Sequence, residues 1–201
     1  MSTRVCLVAL CAAAVAIGCE SRQSLPTSSS SVSQGRSTST TAPAQLTAKA
    51  DQRKTVMLMD ACDPDTFNAP PPMGVGPGTC LRQGGVRFAN FIDELTRHHS
   101  VGAWHMAPGE VTLQLGDVLS AFNQGGETHT FTEVDEFGGG FVQQINDIGG
   151  FGPPVSECNP QTVKLLHPGD SSHEKTDEVG VEKYQCCIHP WMRAEVRIVQ
   201  H

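Results

Sequence analysis

The chain has 201 residues and a formal net charge of −7, and 38 % of its residues are hydrophobic. Residues 51–201 contain 20 Asp and Glu against 10 Lys and Arg, a net charge of −10 before histidine. This charge argues against nucleic acid as a partner, because phosphates require a basic surface on the protein. A basic protein suits such an acidic domain better.

The first 18 residues have the pattern of an export signal peptide. Arg4 precedes an apolar run, Val5–Ile17, which is too short to span a bilayer and suits the apolar region of a signal peptide. The sequence "AIGC" that follows resembles the cleavage site of bacterial lipoproteins, in which the cysteine, here Cys19, becomes lipidated. The resemblance implies an exported protein, lipid-anchored to a membrane at the cell envelope or in the periplasm, at the outer membrane if the host has one. Cleavage nearby without lipid is the alternative.

Residues 19–50 are predicted to be a disordered, Ser/Thr-rich tether. Their central part, Ser24–Gln45, consists largely of Ser and Thr with scattered Pro and Gly. Such a segment cannot bury enough apolar surface to offset its chain entropy. The folded domain is therefore expected within residues 51–201, a length that can bury a self-sufficient core.

Most of the elements predicted within the domain are strands. Residues 55–59 are predicted to form the first strand, and a Pro- and Gly-rich loop over 60–85 follows it. Apolar residues at helical spacing then predict one helix, Phe88–Arg97. The Gly-rich stretch 136–154 is predicted to be a loop insertion without an assigned role. Short strand-like runs separated by turn residues make up the rest: 101–106, 110–115, 117–123, 127–134, 162–166, 181–187 and 194–200. Seven or eight strands with one short helix predict an all-β fold, a β-sandwich with long loops.

The stretch "YQCCIHPWM", Tyr184–Met192, concentrates cysteine, histidine and methionine. Cys186, His189 and Met192 have the spacing Cys-x-x-His-x-x-Met on a loop between two predicted strands, and His129 lies 57 residues before the cysteine. A thiolate, two imidazoles and a thioether form a soft to borderline ligand set that suits copper, with the thioether as a weak axial ligand. Structural zinc is the alternative, in which the methionine would have no role.

This loop and the segment 113–134 resemble the cupredoxins, the small blue-copper proteins, and the loop is closest to the amicyanin and pseudoazurin type. The resemblance covers about residues 101–200 and implies a Greek-key β-sandwich that holds one type 1 copper ion per chain. Cys187, directly after the first loop cysteine, and the wide spacing to the upstream histidine depart from the family pattern. The resemblance implies three equatorial ligands and one axial ligand: His129, Cys186 and His189, with Met192 in the axial position.

Four cysteines remain in the domain once Cys186 is assigned to copper, and an even number suits disulfides in an exported domain. Four cysteines allow three connectivities. We predict Cys62–Cys80, which closes the Pro- and Gly-rich loop, and Cys158–Cys187, which joins the Gly-rich insertion to the metal loop.

We predict no catalytic function, because the sequence lacks the paired His-x-His ligands of copper oxidases and lacks a phosphate-binding loop. Three functions remain open, since a fold alone does not define function. They are a one-electron carrier at the cell envelope, a copper-handling or storage protein without redox turnover, and a metal-free interaction lipoprotein on the same scaffold. For the carrier we expect a monomeric domain and a basic redox partner protein that contacts His189, Pro190 and Trp191.

Overall fold

The computed structural model describes residues Gln52–Gln200. The predicted signal peptide, the lipidation site Cys19 and the predicted tether lie outside these residues. Within the described part of the chain, no helix is long and apolar enough to cross a bilayer. In chain order the elements are β1 (Arg53–Met59), α1 (Pro64–Phe67), α2 (Phe88–His98), β2 (His105–Ala107), β3 (Glu110–Gln114), β4 (Val118–Asn123), β5 (His129–Thr130), β6 (Thr132–Val134), α3 (Gln143–Gly149), β7 (Leu165–Leu166), β8 (Ser171–Lys175), β9 (Gly180–Gln185) and β10 (Arg193–Val199).

Two four-stranded sheets form the body of the fold. The first has the order β2-β1-β4-β8 and the second β3-β10-β9-β6, while β5 and β7 form a separate pair. Both sheets are mixed, because β1 runs parallel to β4 and β3 parallel to β10, and the other neighbours are antiparallel. The chain passes from one four-stranded sheet to the other five times, after β2, after β3, between β4 and β6, between β6 and β8, and after β8, as in Greek-key sandwiches. The predicted β-sandwich is therefore confirmed.

The alternation of apolar and polar residues explains how the strands share one core. On β10, Ala194, Val196 and Ile198 are buried and the residues between them are exposed and charged. Successive side chains of a strand point to opposite faces, so one face of β10 is turned to the core. On β1, in the other sheet, Val56 and Leu58 belong to the same buried cluster. The two sheets thus pack face to face.

Aromatic rings attach α1 and α2 to the sandwich. Phe67 of α1 stacks on Trp104 with the ring centroids 5.6 Å apart, and Phe91 of α2 lies 4.9 Å from the same indole. Leu95, one turn after Phe91, is also buried. Residues four apart share a helix face, and this face of α2 is the one that meets the sandwich.

The structure contains three helices where the sequence predicts one. The predicted helix is α2, which is one residue longer at its end. The single turn α1 is capped by the side chain of Asp63 and starts with Pro64, both favourable at a helix start. The expectation that 136–154 is entirely loop is wrong, because α3 lies within it. That helix ends at Gly150, whose φ of 68° gives the left-handed cap that glycine favours.

The boundaries of several strands differ from the prediction. The predicted strand 162–166 is reduced to the two residues of β7, and the predicted strand 181–187 ends at Gln185 as β9. The predicted strand 101–106 is shortened to β2, because the chain turns where the Trp104 N–H donates to the Val101 carbonyl at 2.9 Å. The single strand predicted over 127–134 is two short strands interrupted at Phe131, which pair with different neighbours. The polar strand β8 has one buried residue, Ser172, and therefore no apolar pattern that would predict it.

Both predicted disulfides are present. Cys62 is bonded to Cys80 across the Pro- and Gly-rich loop, and Cys158 is bonded to Cys187. Among the described residues Cys186 is the free cysteine, and it is fully buried. The second disulfide therefore anchors the segment after α3 to the loop between β9 and β10.

Backbone contacts also fasten the Gly-rich stretch to that loop. The Phe141 N–H donates to the Cys187 carbonyl at 2.8 Å. Gly138 donates to the side-chain oxygen of Gln185 at 3.1 Å and accepts from its amide nitrogen at 3.3 Å. A Cβ at Gly140 would collide with the Cys187 carbonyl. Glycine permits this close approach, and the stretch supports one side of the loop.

Replacing both Cys62 and Cys80 with serine should lower the free energy of unfolding. The disulfide closes a separation of 18 residues, for which loop entropy predicts a loss of about 3 kcal/mol. Equilibrium urea unfolding of the wild type and the double variant measures the difference. An unchanged free energy of unfolding would contradict the assigned role of this disulfide.

Candidate metal site

His129, Cys186 and His189 converge on one point, as the sequence predicts. The Nδ1 atom of His129 lies 3.8 Å from the Cys186 sulfur, and the Nδ1 atom of His189 lies 3.9 Å from it. The potential ligand atoms are all within 4.8 Å of one another, and the three side chains are buried. Metal–nitrogen and metal–sulfur bonds of about 2.0–2.3 Å fit between atoms at this spacing. The group can therefore hold one metal ion.

Backbone hydrogen bonds shape the loop that carries two of these residues. Cys186 follows β9 directly, and its N–H donates to the Met192 carbonyl at 3.0 Å. The Met192 N–H in turn donates to the His189 carbonyl at 2.9 Å. His129 lies on β5, and the N–H of the next residue, Thr130, donates to the Cys186 sulfur at 3.4 Å. The strand pair β9–β10 and the strand β5 together fix the three side chains.

Met192, the predicted axial ligand, is fully buried within this loop. Its backbone bonds hold it between the two ends of the Cys-x-x-His segment. Its role as a ligand stays a prediction.

Asp60, just after β1, is a functional residue that the sequence pattern does not reveal. Its Oδ2 atom accepts a hydrogen bond from His129 Nε2 at 2.8 Å, and both side chains are fully buried. The same carboxylate accepts the backbone N–H groups of Gly126 and Glu127 at 2.9 and 3.0 Å. Carboxylate partners of this kind orient metal-binding histidines. Asp60 engages Nε2 and leaves Nδ1 of His129 facing the cysteine sulfur.

These contacts set the ionisation of the site. Burial raises the pKa of Asp60, but the hydrogen bond and charge of His129 together with the backbone hydrogen bonds of Glu127 and Gly126 outweigh burial, and the pKa is lowered to about 2. Burial lowers the pKa of His129, but hydrogen bonds with Asp60 and Cys186 raise it to about 9. Burial also raises the pKa of the Cys186 thiol, whereas hydrogen bonds with both histidines hold it well below its ordinary value. The cysteine is thus favoured as thiolate, the form that binds metals.

Glu127 is a second buried carboxylate, beside the other imidazole. Its Oε2 atom accepts a hydrogen bond from Trp104 Nε1 at 2.7 Å and lies 3.6 Å from His189 Nε2. Burial raises the pKa of Glu127, and the neighbouring His189 opposes this effect. Each histidine therefore has a carboxylate on its Nε2 side and the thiolate sulfur on its Nδ1 side.

His189 does not belong to the exposed surface. Its exposed fraction is 4 %, and Pro190 is also buried. Three aromatic rings surround the imidazole, with centroids at 6.2 Å for Phe91, 6.4 Å for Trp104 and 5.4 Å for Trp191. The expectation that His189 and Pro190 contribute to the transfer surface is therefore wrong, because both are buried and rings of α2 and of the turn before β2 lie over His189. Of the three residues expected there, Trp191 alone is partly exposed.

The remaining histidines of the described part of the chain lie outside this group. All five are exposed: His98, His99, His105, His167 and His173. The first two of them lie at the end of α2.

Comparisons with known proteins give structural likenesses only. No protein-family model matches the chain, and no curated protein does. A solved structure titled as a novel purple cupredoxin from Nitrosopumilus maritimus is 22 % identical, with 49 % of this chain and 86 % of that chain covered and a TM-score of 0.35. An amicyanin mutant in the Cu(I) form is 17 % identical, with coverages of 47 % and 73 % and a TM-score of 0.33. A reduced amicyanin mutant at pH 4 is 17 % identical, with coverages of 50 % and 77 % and a TM-score of 0.34. The site is defined by its own geometry, not by these likenesses.

Replacing Asp60 with asparagine should weaken metal binding. Loss of the carboxylate removes the group that fixes the imidazole of His129, and changes of this kind typically reduce metal affinity about 10–100-fold. Competition between the protein and a chromophoric chelator for Zn²⁺ measures the affinity. Asp65→Asn is the control, because Asp65 is an exposed aspartate on the nearby helix α1. Equal affinity of the Asp60 variant and the wild type would contradict the orienting role.

Proposed function

We propose that this chain is a cupredoxin-like protein that binds one copper ion and acts as a one-electron carrier. The supporting observation is the convergence of two imidazole Nδ1 atoms on one buried thiolate, 3.8 and 3.9 Å from its sulfur, within a β-sandwich. Two histidines and one cysteine in a trigonal arrangement with a weak axial thioether are the ligand set of blue-copper electron-transfer sites. In this proposal His129, Cys186 and His189 are the strong ligands and Met192 is the axial one.

The donor set favours copper over zinc. Structural zinc is closed by four Cys, His or carboxylate ligands in a tetrahedron. The group found within the described residues has three such ligands. The two nearest carboxylates face away from the metal position, because Asp60 bonds Nε2 of His129 and Glu127 lies on the Nε2 side of His189. A thioether from Met192 then fits the fourth position better than a hard ligand.

A rigid, buried site suits electron transfer. Copper in such a site accepts and returns one electron. The chain fixes the ligands by the backbone bonds of the loop, by the disulfide at Cys187 and by the Asp60 carboxylate. The 4 % exposure of His189 favours a site that retains its metal over one that hands it on.

Trp191 is the group through which electrons would reach the surface. Its ring is 5.4 Å from that of His189 and is partly exposed. Its Nε1 atom donates to the carbonyl oxygens of Trp104 at 3.1 Å and Val101 at 3.3 Å. These bonds hold the indole in place between the buried imidazole and solvent.

A basic redox partner protein suits the charge of the domain. Glu133 and Glu182 lie on neighbouring strands of one sheet, and burial together with repulsion from nearby acidic groups, Glu174 and Asp177 among them, raises the pKa of both. A cationic partner would offset this repulsion and speed association. We propose that such a partner binds a monomeric domain and that nucleic acid does not bind.

We place this function at the cell envelope of an exported, lipid-anchored protein. Two disulfides favour an oxidising compartment outside the cytoplasm. Lipid on Cys19 and the Ser/Thr-rich segment after it would attach the domain to a membrane while leaving it free to meet its partner.

Copper(II) should bind at one ion per chain and give an intense visible band from thiolate-to-copper charge transfer. Cys186→Ser should abolish this band, because the band requires the thiolate. Cys187→Ser is the matched control: it removes the neighbouring sulfur and the disulfide but should keep the colour. Absorption spectra of the copper-loaded variants measure this. A colourless copper(II) complex of folded protein, or a band that depends on Cys187 instead, would overturn the assignment.

Met192→Leu should have a milder effect than loss of any equatorial ligand. The weak axial ligand disappears, copper stays bound, and the reduction potential shifts. His129→Ala should instead open an equatorial position and weaken or alter the site. Voltammetry and chelator competition separate the two effects. Equal loss of copper from both variants would favour a closed structural site, as with zinc.

Cys19→Ala should release the protein from the membrane into the soluble exported fraction. Fractionation of cells that express the wild type and the variant, with mass spectrometry of the amino-terminal peptide, measures attachment and fatty acylation. A wild-type protein that is already soluble and carries no fatty acid would refute the anchor.

A further inference from the structure

A cavity of about 580 Å³ lies beside the metal site. Its volume is within the range of small-molecule sites, about 300–1,000 Å³. The loop after α1, the helices α2 and α3 and the metal loop contribute its walls, and His189 and Glu127 reach it as well. The apolar lining includes Val75, Phe88, Ile92, Ile145, Ile148 and Ile188.

The walls expose apolar surface that a ligand would cover. Ile145, Ile148 and Ile188 are partly buried and pack on the core with one side. Val75 is 51 % exposed. Removing such apolar area from water is favourable in approximate proportion to the area. An occupant with an apolar body therefore gains free energy in this cavity.

Glu127 is the one acidic side chain of the lining. The residue is 5 % exposed, and its Oε2 atom is oriented by the hydrogen bond from Trp104. The two threonine hydroxyls of the lining already have partners, the Gly76 carbonyl for Thr79 and the His167 imidazole for Thr128. Gln144 also lies in the lining, but its side chain is exposed. The buried part of the cavity thus offers an incoming ligand apolar walls and one fixed acceptor, Glu127.

The aromatic walls favour an aromatic occupant. Phe88 is the ring of the lining that an occupant can contact, because it is partly exposed whereas Phe67 and Phe91 are 1 % and 2 % exposed; Phe88 itself meets Phe67 edge to face at 5.3 Å. Another ring can extend such an arrangement at similar spacing. A neutral donor is preferred over an ammonium group, because His189, which holds the copper cation in the function proposed above, lines the same cavity.

We propose that this cavity binds a small aromatic molecule with one hydroxyl group, a simple phenol. Its ring lies against Phe88 and the isoleucines of α3, and its O–H donates to the Glu127 carboxylate. The buried carboxyl oxygen gains a hydrogen bond from the phenol that the corresponding ether cannot supply. A phenol should therefore bind more tightly than its methyl ether, which has the same ring and lacks the donor.

Calorimetric titration of the full-length protein with 4-methylphenol and with 4-methylanisole tests the proposal. We expect the phenol to bind about tenfold more tightly or better, with chemical-shift changes at the methyl groups of Ile145 and Ile148. Glu127→Gln should reduce this preference and leave binding of the ether unchanged. Val75→Trp should obstruct the cavity and weaken binding of both compounds. Val181→Trp, at a valine of similar exposure (47 %) on β9 outside the lining, is the matched control.

Each titration is run with and without bound copper, so that failure of the cavity and failure of the copper site are distinguished. The proposal is overturned if neither compound binds at its solubility limit, or if the two compounds bind equally. It is also overturned if Val75→Trp and Val181→Trp have the same effect on binding. If the Glu127 variant does not fold, the comparison of Val75→Trp with Val181→Trp and of the phenol with its ether still tests the proposal.

Discussion

The hydrogen bond between Asp60 and His129 is the interaction on which the site depends. Asp60 follows the strand β1 of one sheet, whereas Cys186 follows the strand β9 of the other, and the imidazole lies between them. A buried carboxylate is costly without partners. Here His129 and three backbone N–H groups, those of Cys62, Gly126 and Glu127, supply them. The Asp60 carboxylate therefore links the end of β1 to β5 and to the turn before it, and the bond to Nε2 leaves Nδ1 of the imidazole facing the sulfur.

Aromatic side chains cover His189 and limit its contact with solvent. The rings of Phe91 and Trp104 lie over His189 and bury it, whereas Trp191, beside it, is partly exposed to solvent. On the other side the disulfide at Cys187 and the Gly-rich stretch hold the loop. Aromatic burial and covalent closure thus act on the same short segment, and they explain why so much of the chain outside the two sheets is ordered around it.

The sequence predicts those parts that depend on local pattern. The alternation in β10 and the helical spacing in α2 were sufficient for those elements, and the spacing of Cys186, His189 and Met192 was sufficient for the loop. The strand β8 is held by its pairing with β4 and has no apolar pattern, so the sequence does not predict it. The helix α3 was not predicted because the stretch around it is rich in glycine, which favours loops. Asp60 lies 69 residues from His129, so its role arises only when the chain folds. The burial of His189 likewise depends on rings from distant segments.

The central claim is that copper is held by the Nδ1 atoms of His129 and His189 and the sulfur of Cys186. Anomalous diffraction at the copper absorption edge from crystals of the copper-loaded protein tests it most directly. A single peak within bonding distance of these three atoms, with Asp60 still bonded to Nε2 of His129, is the result we predict. A peak elsewhere, coordination through either Nε2 atom, or copper bound to the sulfur of Cys187 would contradict the account.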